Sequence, residues 1–120
     1  MNEFEVIFYE RTDGGKPAQE FLMSLDKKMR AKVSRLLEML ERNGYELREP
    51  YSKFLGDGIF ELRAQADSDI SRVLYFFVIN KRVVITHGFI KKTQRTPKAE
   101  IERAKQCRKD YLERNAYNVK

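Results

Sequence analysis

The sequence predicts a small α+β fold, in which an antiparallel sheet packs against an N-terminal helical hairpin and is followed by a C-terminal helix. Three observations lead to this prediction. A segment near the N-terminus alternates with a period of two, which is typical of a strand. The next segments repeat apolar residues every three or four positions, as amphipathic helices do. Residues 59–89 then contain three stretches rich in β-branched and aromatic residues, separated by short turn sequences.

The N-terminal half is predicted to form one strand and a helical hairpin. We interpret Glu3–Tyr9 as an edge strand. Pro17 suits the first turn of a short helix, where its missing N–H is not needed. Asp26 can cap a second, longer helix, and Gly44 can end it in a left-handed conformation. Each helix has an apolar stripe that must be buried against the sheet, and these residues are Ala18, Phe21, Leu22, Leu25, Met29, Val33, Leu36, Leu37 and Leu40.

The C-terminal half is predicted to form a three-stranded meander and one more helix. Tyr45–Leu55 contains a proline and has no clear period, so we predict a loop there, with at most one helical turn. The strands are predicted at Ile59–Ala66, Ile70–Ile79 and Arg82–Phe89, with turns at Asp57-Gly58, Asp67–Asp69 and Asn80-Lys81. Thr96-Pro97 begins the last helix, which should extend to about Asn115.

Composition limits the possible classes of protein. The chain has 120 residues, 42% of them hydrophobic, which suits one globular domain and excludes a disordered chain. No apolar run approaches the roughly 20 residues that span a bilayer, and acidic residues stand where a signal peptide would carry cations. The single cysteine, Cys107, suits a reducing cytoplasm. Because there is only one histidine as well, the usual zinc sites are excluded, and we expect neither a metal nor a cofactor.

The charge distribution points to a polyanionic partner. The formal net charge is +6, which favours nucleic acid, acidic proteins or anionic membranes. No acidic residue occurs between Asp69 and Glu100. That stretch holds seven basic residues, namely Arg72, Lys81, Arg82, Lys91, Lys92, Arg95 and Lys98. We therefore predict that these strands and the following loop form a surface for phosphate groups.

One candidate site lies on the first strand of the meander. Glu61 and Arg63 are two residues apart, so both side chains point away from the face of Phe60 and Leu62. If the next strand pairs antiparallel, Arg72 lies close to them, although strand parity alone does not place it on the same face. Two arginines and a carboxylate could clamp a phosphate and take up a proton. The alternative is a cross-strand salt bridge on a solvated face.

Two further candidates follow the same strands. The loop Lys91-Lys92-Thr93-Gln94-Arg95 offers point charges for phosphate and polar groups for sugars or bases, with Lys53 and Lys98 as possible contributors. A basic loop can equally be a solvated loop. His87 could serve as a general acid or base, but its strand neighbours are apolar, so it can also be a hydrogen-bonded core residue.

These residues together resemble the RelE/ParE superfamily of bacterial toxins, and most closely its phage-derived, HigB-like branch. The resemblance covers nearly the whole chain, from Phe4 to about Tyr111. The matching motifs occur in the same order as in that family. They are Lys53-x-Leu55, Gly58-Ile-Phe-Glu61-Leu62-Arg63, Arg72-Val-Leu-Tyr75-Phe76, His87-Gly88-Phe89-x-Lys91-Lys92-Thr93 and Thr96-Pro97-x-x-Glu100-Ile101-x-x-Ala104.

The resemblance implies a RelE-like toxin of a type II toxin–antitoxin system, which enters the ribosomal A site and cuts messenger RNA without a metal. The ribose 2′-hydroxyl would attack its own phosphodiester, so the site needs a base, an acid and cations. By this resemblance Glu61 is the base, and Arg63 and Arg72 stabilise the phosphorane. His87 or Lys92 is the acid. Lys53, Lys91, Thr93, Arg95 and Lys98 would contact RNA, and a cognate antitoxin of the helix-turn-helix class is the expected protein partner.

One departure from the family pattern leaves alternatives open. Several relatives end soon after the last strand with a catalytic tyrosine or histidine, whereas this chain continues into a basic helix. That helix could grip ribosomal RNA or face the antitoxin. A ParE-like inhibitor of DNA gyrase, without nuclease chemistry, is the second hypothesis. A basic nucleic-acid-binding accessory module of a phage is the third, which the positive charge alone would satisfy.

Overall fold

The computed structural model of the protein describes residues 4–91 and 94–115, and within these ranges it contains five strands and three α-helices. The strands are β1 (Glu5–Phe8), β2 (Ser52–Gly56), β3 (Ile59–Ala66), β4 (Asp69–Val78) and β5 (Arg82–Ile90). The helices are α1 (Pro17–Ser24), α2 (Lys27–Asn43) and α3 (Lys98–Arg114). The predicted α+β class is therefore confirmed. Three residues, 79–81, join the last two strands rather than the predicted two, and Asn80 and Lys81 both have positive φ.

The strands form one sheet in the order β1-β5-β4-β3-β2, so β1 is an edge strand as predicted. The sheet is mixed, because β1 runs parallel to β5 with Glu5 beside Arg82. The expectation of a wholly antiparallel sheet was wrong in this respect. The alternation of apolar residues reports which face of a strand is buried, but it carries no information on the direction of a neighbour that is not joined to it by a hairpin.

The second correction concerns β2, which lies within the segment predicted to be a loop. Ser52–Gly56 pairs antiparallel with β3, and the register shifts between Phe54 and Gly56. Ser52 is buried, while Lys53 and Phe54 are exposed, so the strand shows no alternation of apolar residues. A short edge strand that contains a bulge gives no period-two signal, which explains why the sequence did not reveal it. The predicted helical turn is present as a single 3₁₀ turn at Gly44–Glu46.

The two helices of the hairpin cover one face of the sheet. Helix α1 packs on β5 and α2 packs on β3. Asp26 caps α2 as predicted, accepting a hydrogen bond from the backbone N–H of Met29 at 2.8 Å. Gly44 ends α2 with φ of +48°, and its α-carbon lies so close to the ring of Phe4 that a Cβ would overlap it. The core on this face is formed by the predicted stripes together with residues of the strands, including Leu62, Val73, Tyr75, Val83 and Ile85.

Helix α3 covers the opposite face of the sheet. Ala104 and Cys107 pack there in a second core with Leu74, Phe76 and Val84. Polar contacts tie both halves of the helix to the sheet: Lys105 Nζ lies 2.7 Å from Asp57 Oδ2, and the hydroxyl of Tyr9 donates to Asp110 at 2.6 Å. The protein thus has three layers, and the face on which Glu61 lies is covered rather than open.

None of the helices in the described ranges is both long enough and apolar enough to cross a lipid bilayer.

The packing of α2 predicts a large loss of stability for Leu40→Ala. Leu40 has no exposed surface, so its truncation removes buried contacts and leaves a cavity, at a cost of about 2–5 kcal/mol in the free energy of unfolding. Met23→Ala is the control, because the side chain of Met23 on α1 is 62% exposed and its loss should change stability by less than about 0.5 kcal/mol. Urea denaturation followed by circular dichroism measures both values, and equal losses would contradict this packing.

Candidate phosphate-binding site around Glu61

The sheet brings Glu61, Arg63 and Arg72 together on the α3 face. Arg63 on β3 is the direct cross-strand partner of Arg72 on β4, which settles that the two side chains share a face. Glu61 and Arg72 have no exposed surface, and the side chain of Arg63 is 21% exposed. The three residues therefore form a buried ionic cluster, and the alternative of a salt bridge on a solvated face was wrong.

The carboxylate of Glu61 lies between the two arginines. Arg63 Nε donates to Glu61 Oε1 at 2.6 Å, and Arg72 Nη1 lies 3.8 Å from Glu61 Oε2. Two guanidinium groups side by side repel each other. The negative charge of the Glu61 carboxylate offsets one of their two positive charges and so reduces this repulsion. The cluster keeps one surplus positive charge in a region from which water is largely excluded. Such a cluster is well suited to hold an additional anion.

The segment Gln94–Thr96 closes this cluster from the side of α3. The backbone carbonyl of Gln94 accepts hydrogen bonds from Arg63 Nη2 and from Arg72 Nη1, the latter at 3.3 Å. The hydroxyl of Thr96 donates to Glu61 Oε2 and lies 3.3 Å from Arg72 Nη1, from which it accepts. One carbonyl oxygen and one hydroxyl thus occupy the point where the three charged side chains converge.

The guanidinium group of Arg72 is incompletely satisfied. Its Nε and Nη2 atoms are buried, and neither has a hydrogen-bond acceptor within the part of the chain that the structure describes. Burial lowers the pKa of Arg72 below its ordinary value, and the charge of Arg63 acts in the same direction, while Glu61 opposes both. Unsatisfied buried donors are costly and rare, so each calls for an explanation, such as a catalytic role or a bound water or ion.

His87 lies on β5 beneath the start of α3. Leu74 is its cross-strand partner and is also the partner of Glu61, so one apolar residue separates His87 from the cluster. His87 Nε2 lies 3.0 Å from Glu100 Oε1, and Nδ1 lies 3.0 Å from the hydroxyl of Thr86. Burial lowers the pKa of His87, and the charge of Arg103 lowers it further. The contact with Glu100 acts in the opposite direction and raises it. The neutral imidazole therefore donates through Nε2 to Glu100, in the manner of a hydrogen-bonded core residue.

The other basic candidates lie on the surface at different distances from the cluster. Lys53 on β2 is the direct cross-strand partner of Glu61 and is exposed. Lys91, at the end of β5, and Lys98, at the start of α3, are exposed, as is Arg95 beside Gln94. Lys92 and Thr93 lie outside the described residues. In the described ranges, no group of three His, Cys, Asp or Glu side chains is arranged to hold a metal ion.

Sequence reasoning missed three groups that complete this site. The carbonyl of Gln94 is a backbone group, so no residue type could have indicated it. The hydroxyl of Thr96 was interpreted only as part of a helix start. Glu100 was noted as part of the last family motif, whereas its carboxylate contacts His87. Each of these contacts depends on how α3 packs back onto the sheet, and a local sequence pattern does not predict that packing.

The sequence model of the family described as phage-derived protein Gp49-like (DUF891) matches residues 20–109. That range includes all of α2, all four strands from β2 to β5 and most of α3, and with them every described residue of the cluster. A search of curated proteins found no match.

The buried cluster predicts that Glu61→Gln is strongly destabilising. The variant leaves the buried guanidinium group of Arg72 and the partly exposed one of Arg63 without a counter-charge, which should lower the free energy of unfolding by about 3 kcal/mol or more. Glu38→Gln on α2 makes the same chemical change at an exposed position and should cost less than about 0.5 kcal/mol. Urea denaturation at neutral pH compares the two, and a Glu61 variant as stable as wild type would show that the carboxylate does not balance the arginines.

The environment of His87 predicts a pH dependence of stability. Because its folded pKa is lowered, the unfolded chain binds the proton more readily, and stability falls as pH drops below the ordinary histidine pKa of about 6.5. Between about pH 7.5 and 5, wild type should therefore lose more unfolding free energy than His87→Gln does. Urea titrations across this range measure the difference. A constant difference would mean that the imidazole is not held neutral.

Proposed function

The chain belongs to the phage-derived Gp49-like family, a RelE/toxin-like family, and from this premise we propose that it is a HigB-like toxin of a type II toxin–antitoxin system. Its activity would be that of an endoribonuclease that cuts messenger RNA in the ribosomal A site. It would act in the cytoplasm and be neutralised by a cognate antitoxin of the helix-turn-helix class.

The observation that carries this proposal is the convergence of two arginines on one oxygen atom. Arg63 and Arg72 come from different strands, and both donate to the carbonyl of Gln94. A non-bridging phosphodiester oxygen in the same place would accept hydrogen bonds from the same two arginines. Unlike the carbonyl oxygen, it would also carry negative charge. The unsatisfied Nε and Nη2 atoms of Arg72 would then have a second phosphate oxygen as a possible acceptor.

The hydroxyl of Thr96 supports the second half of the proposal. It donates to Glu61 Oε2, so the carboxylate already accepts a proton-bearing hydroxyl at this position. In the proposed reaction, the ribose 2′-hydroxyl takes that place and gives its proton to Glu61. The 2′-oxygen bonds to phosphorus and the bond from phosphorus to the 5′-oxygen breaks, which leaves a 2′,3′-cyclic phosphate and a 5′-hydroxyl. Arg63 and Arg72 offset the negative charge of the phosphorane.

The leaving 5′-oxygen needs a proton donor. His87 is buried and its Nε2 is occupied by Glu100, which favours a structural role for the imidazole. Lys92, the other candidate from the resemblance, is therefore the proton donor we propose. Lys53, Lys91, Arg95 and Lys98 would bind the phosphates of the flanking strand, so binding should weaken as salt is raised.

This mechanism requires that RNA displaces Gln94 and Thr96 from the cluster. Only Arg63 of the three charged residues has exposed surface, so it would be the first to meet a phosphate. Ribosome-bound RNA, held in position by its codon contacts, could supply the free energy for this exchange.

A cleavage map of messenger RNA after brief expression tests the proposal. Wild type should produce cuts inside translated codons, and Arg63→Ala should reduce their frequency by about a hundredfold or more, as expected when a donor to the charged transition state is lost. Lys92→Ala should also abolish cutting if the lysine is the proton donor. Lys27→Ala, at an exposed position on α2, is the control and should cut as wild type does.

The other outcomes distinguish the alternative functions. Growth arrest with DNA damage and without cuts would contradict the nuclease and favour a gyrase inhibitor. Absence of any growth phenotype, combined with salt-dependent binding to free RNA or DNA, would favour an accessory binding module.

A further inference from the structure

We propose that a cleft between α2 and β3 binds one nucleotide of single-stranded RNA, with its base stacked on Tyr51 and its phosphates on Lys32 and Arg35. The cleft has a volume of about 200 Å³, and its lining includes Lys32, Arg35, Leu36, Met39, Tyr51 and Arg63. This inference rests on the proposed function, because it assigns a place to the RNA strand that leads to the Glu61 cluster.

The cleft exists because β2 covers only part of β3. Ser52 pairs with Leu62, and the backbone N–H of Arg63 donates to the carbonyl of Tyr51 at 3.0 Å. Beyond Arg63, the described part of the chain places no strand beside the edge of β3, and α2 packs against it instead. Lys32 Nζ donates to the carbonyl of Gln65 at 2.8 Å, which fixes the cation at this edge.

The lining of the cleft is basic and contains an aromatic ring. Lys32 and Arg35 are three residues apart on α2 and so lie on one side of the helix. No acidic residue is among the described residues that line the cleft, and the guanidinium group of Arg63 lies on the α3 side of β3. The side chain of Tyr51 is exposed, with 44% of the residue accessible to solvent. Cations beside an exposed aromatic ring are the combination by which proteins bind single strands without reading sequence.

The size of the cleft limits what it can hold. Pockets for small-molecule ligands usually enclose about 300–1,000 Å³, so this cleft suits one ring with its phosphates rather than a whole cofactor. An acidic peptide could also use the two cations of α2, but it would not require an exposed ring beside them. The combination therefore favours a nucleotide over a protein partner.

Arg63 connects the cleft to the proposed cleavage site. Arg63 borders the cleft, and its guanidinium group donates to Glu61 and to the carbonyl of Gln94 on the α3 side of β3. A strand with one base on Tyr51 that continues around the open edge of β3 would present a neighbouring phosphate to Arg63. The cleft would hold a nucleotide adjacent to the scissile bond and contribute to affinity without taking part in proton transfer.

Fluorescence anisotropy with a short, labelled 2′-O-methyl RNA tests this site, because that RNA binds but lacks the attacking hydroxyl. Tyr51→Ala should raise the Kd about tenfold, the effect of losing one base stack, and Tyr51→Phe should restore binding. Lys32→Ala and Arg35→Ala should each reduce the slope of log K against log salt by about 0.7. Tyr45→Ala, which removes another exposed tyrosine, and Lys27→Ala are the controls and should bind as wild type.

Unchanged affinity in Tyr51→Ala together with unchanged salt slopes would overturn the proposal. Displacement of the RNA by a polyglutamate peptide, with the Tyr51 variant binding RNA as wild type does, would overturn it in favour of an acidic protein partner. The outcome is separable from that of the proposed function. Codon cuts without any effect of Tyr51 would reject only the cleft, and RNA binding in the cleft without cuts would reject only the nuclease.

Discussion

The buried carboxylate of Glu61, held between Arg63 and Arg72, is the interaction on which the rest of the site depends. Charges are excluded from protein interiors unless they are paired, so this arrangement must be enforced by the surrounding fold. The antiparallel register places the two arginines opposite each other, and α3 seals the face on which they lie. The surplus positive charge and the unsatisfied atoms of Arg72 are the features on which the proposed phosphate site rests.

Much of the fold could be predicted from the sequence because its signals are local. Asp26 and Gly44 fix the ends of α2 by capping chemistry, and the positive φ of Asn80 and Lys81 allows the tight turn between β4 and β5. The direction of β1 and the presence of β2 are not local properties. They depend on which strand edge remains available once the hairpin and the meander have packed. The HigB-like activity, the antitoxin and the ribosomal target stay predictions, because nothing in the fold alone distinguishes them.

In the candidate site, too, the local features could be predicted from the sequence and the long-range contacts could not. Glu61 and Arg63 were recognisable as a pair because charged residues at alternate strand positions share a face. Arg72 was expected near them, and only the register of β3 and β4 places it on that face. Their burial was not recognisable, since it results from α3 returning across the sheet and from a backbone carbonyl that no residue type encodes. His87 was left between catalysis and the core, and its contact with Glu100 favours the core. The cleft beside Tyr51 was not anticipated, because it joins residues of α2, β3 and the segment before β2.

The most direct test of the central claim is a titration of the isotope-labelled protein with an uncleavable 2′-deoxy analogue of a short RNA, followed through the guanidinium resonances of Arg63 and Arg72 by NMR. If a phosphate replaces the Gln94 carbonyl, both sets of resonances shift together, and the backbone amides of Gln94 and Thr96 report their release. Resonances of Arg72 and Thr96 that stay unchanged while RNA binds elsewhere would contradict the claim that this cluster is a phosphate site.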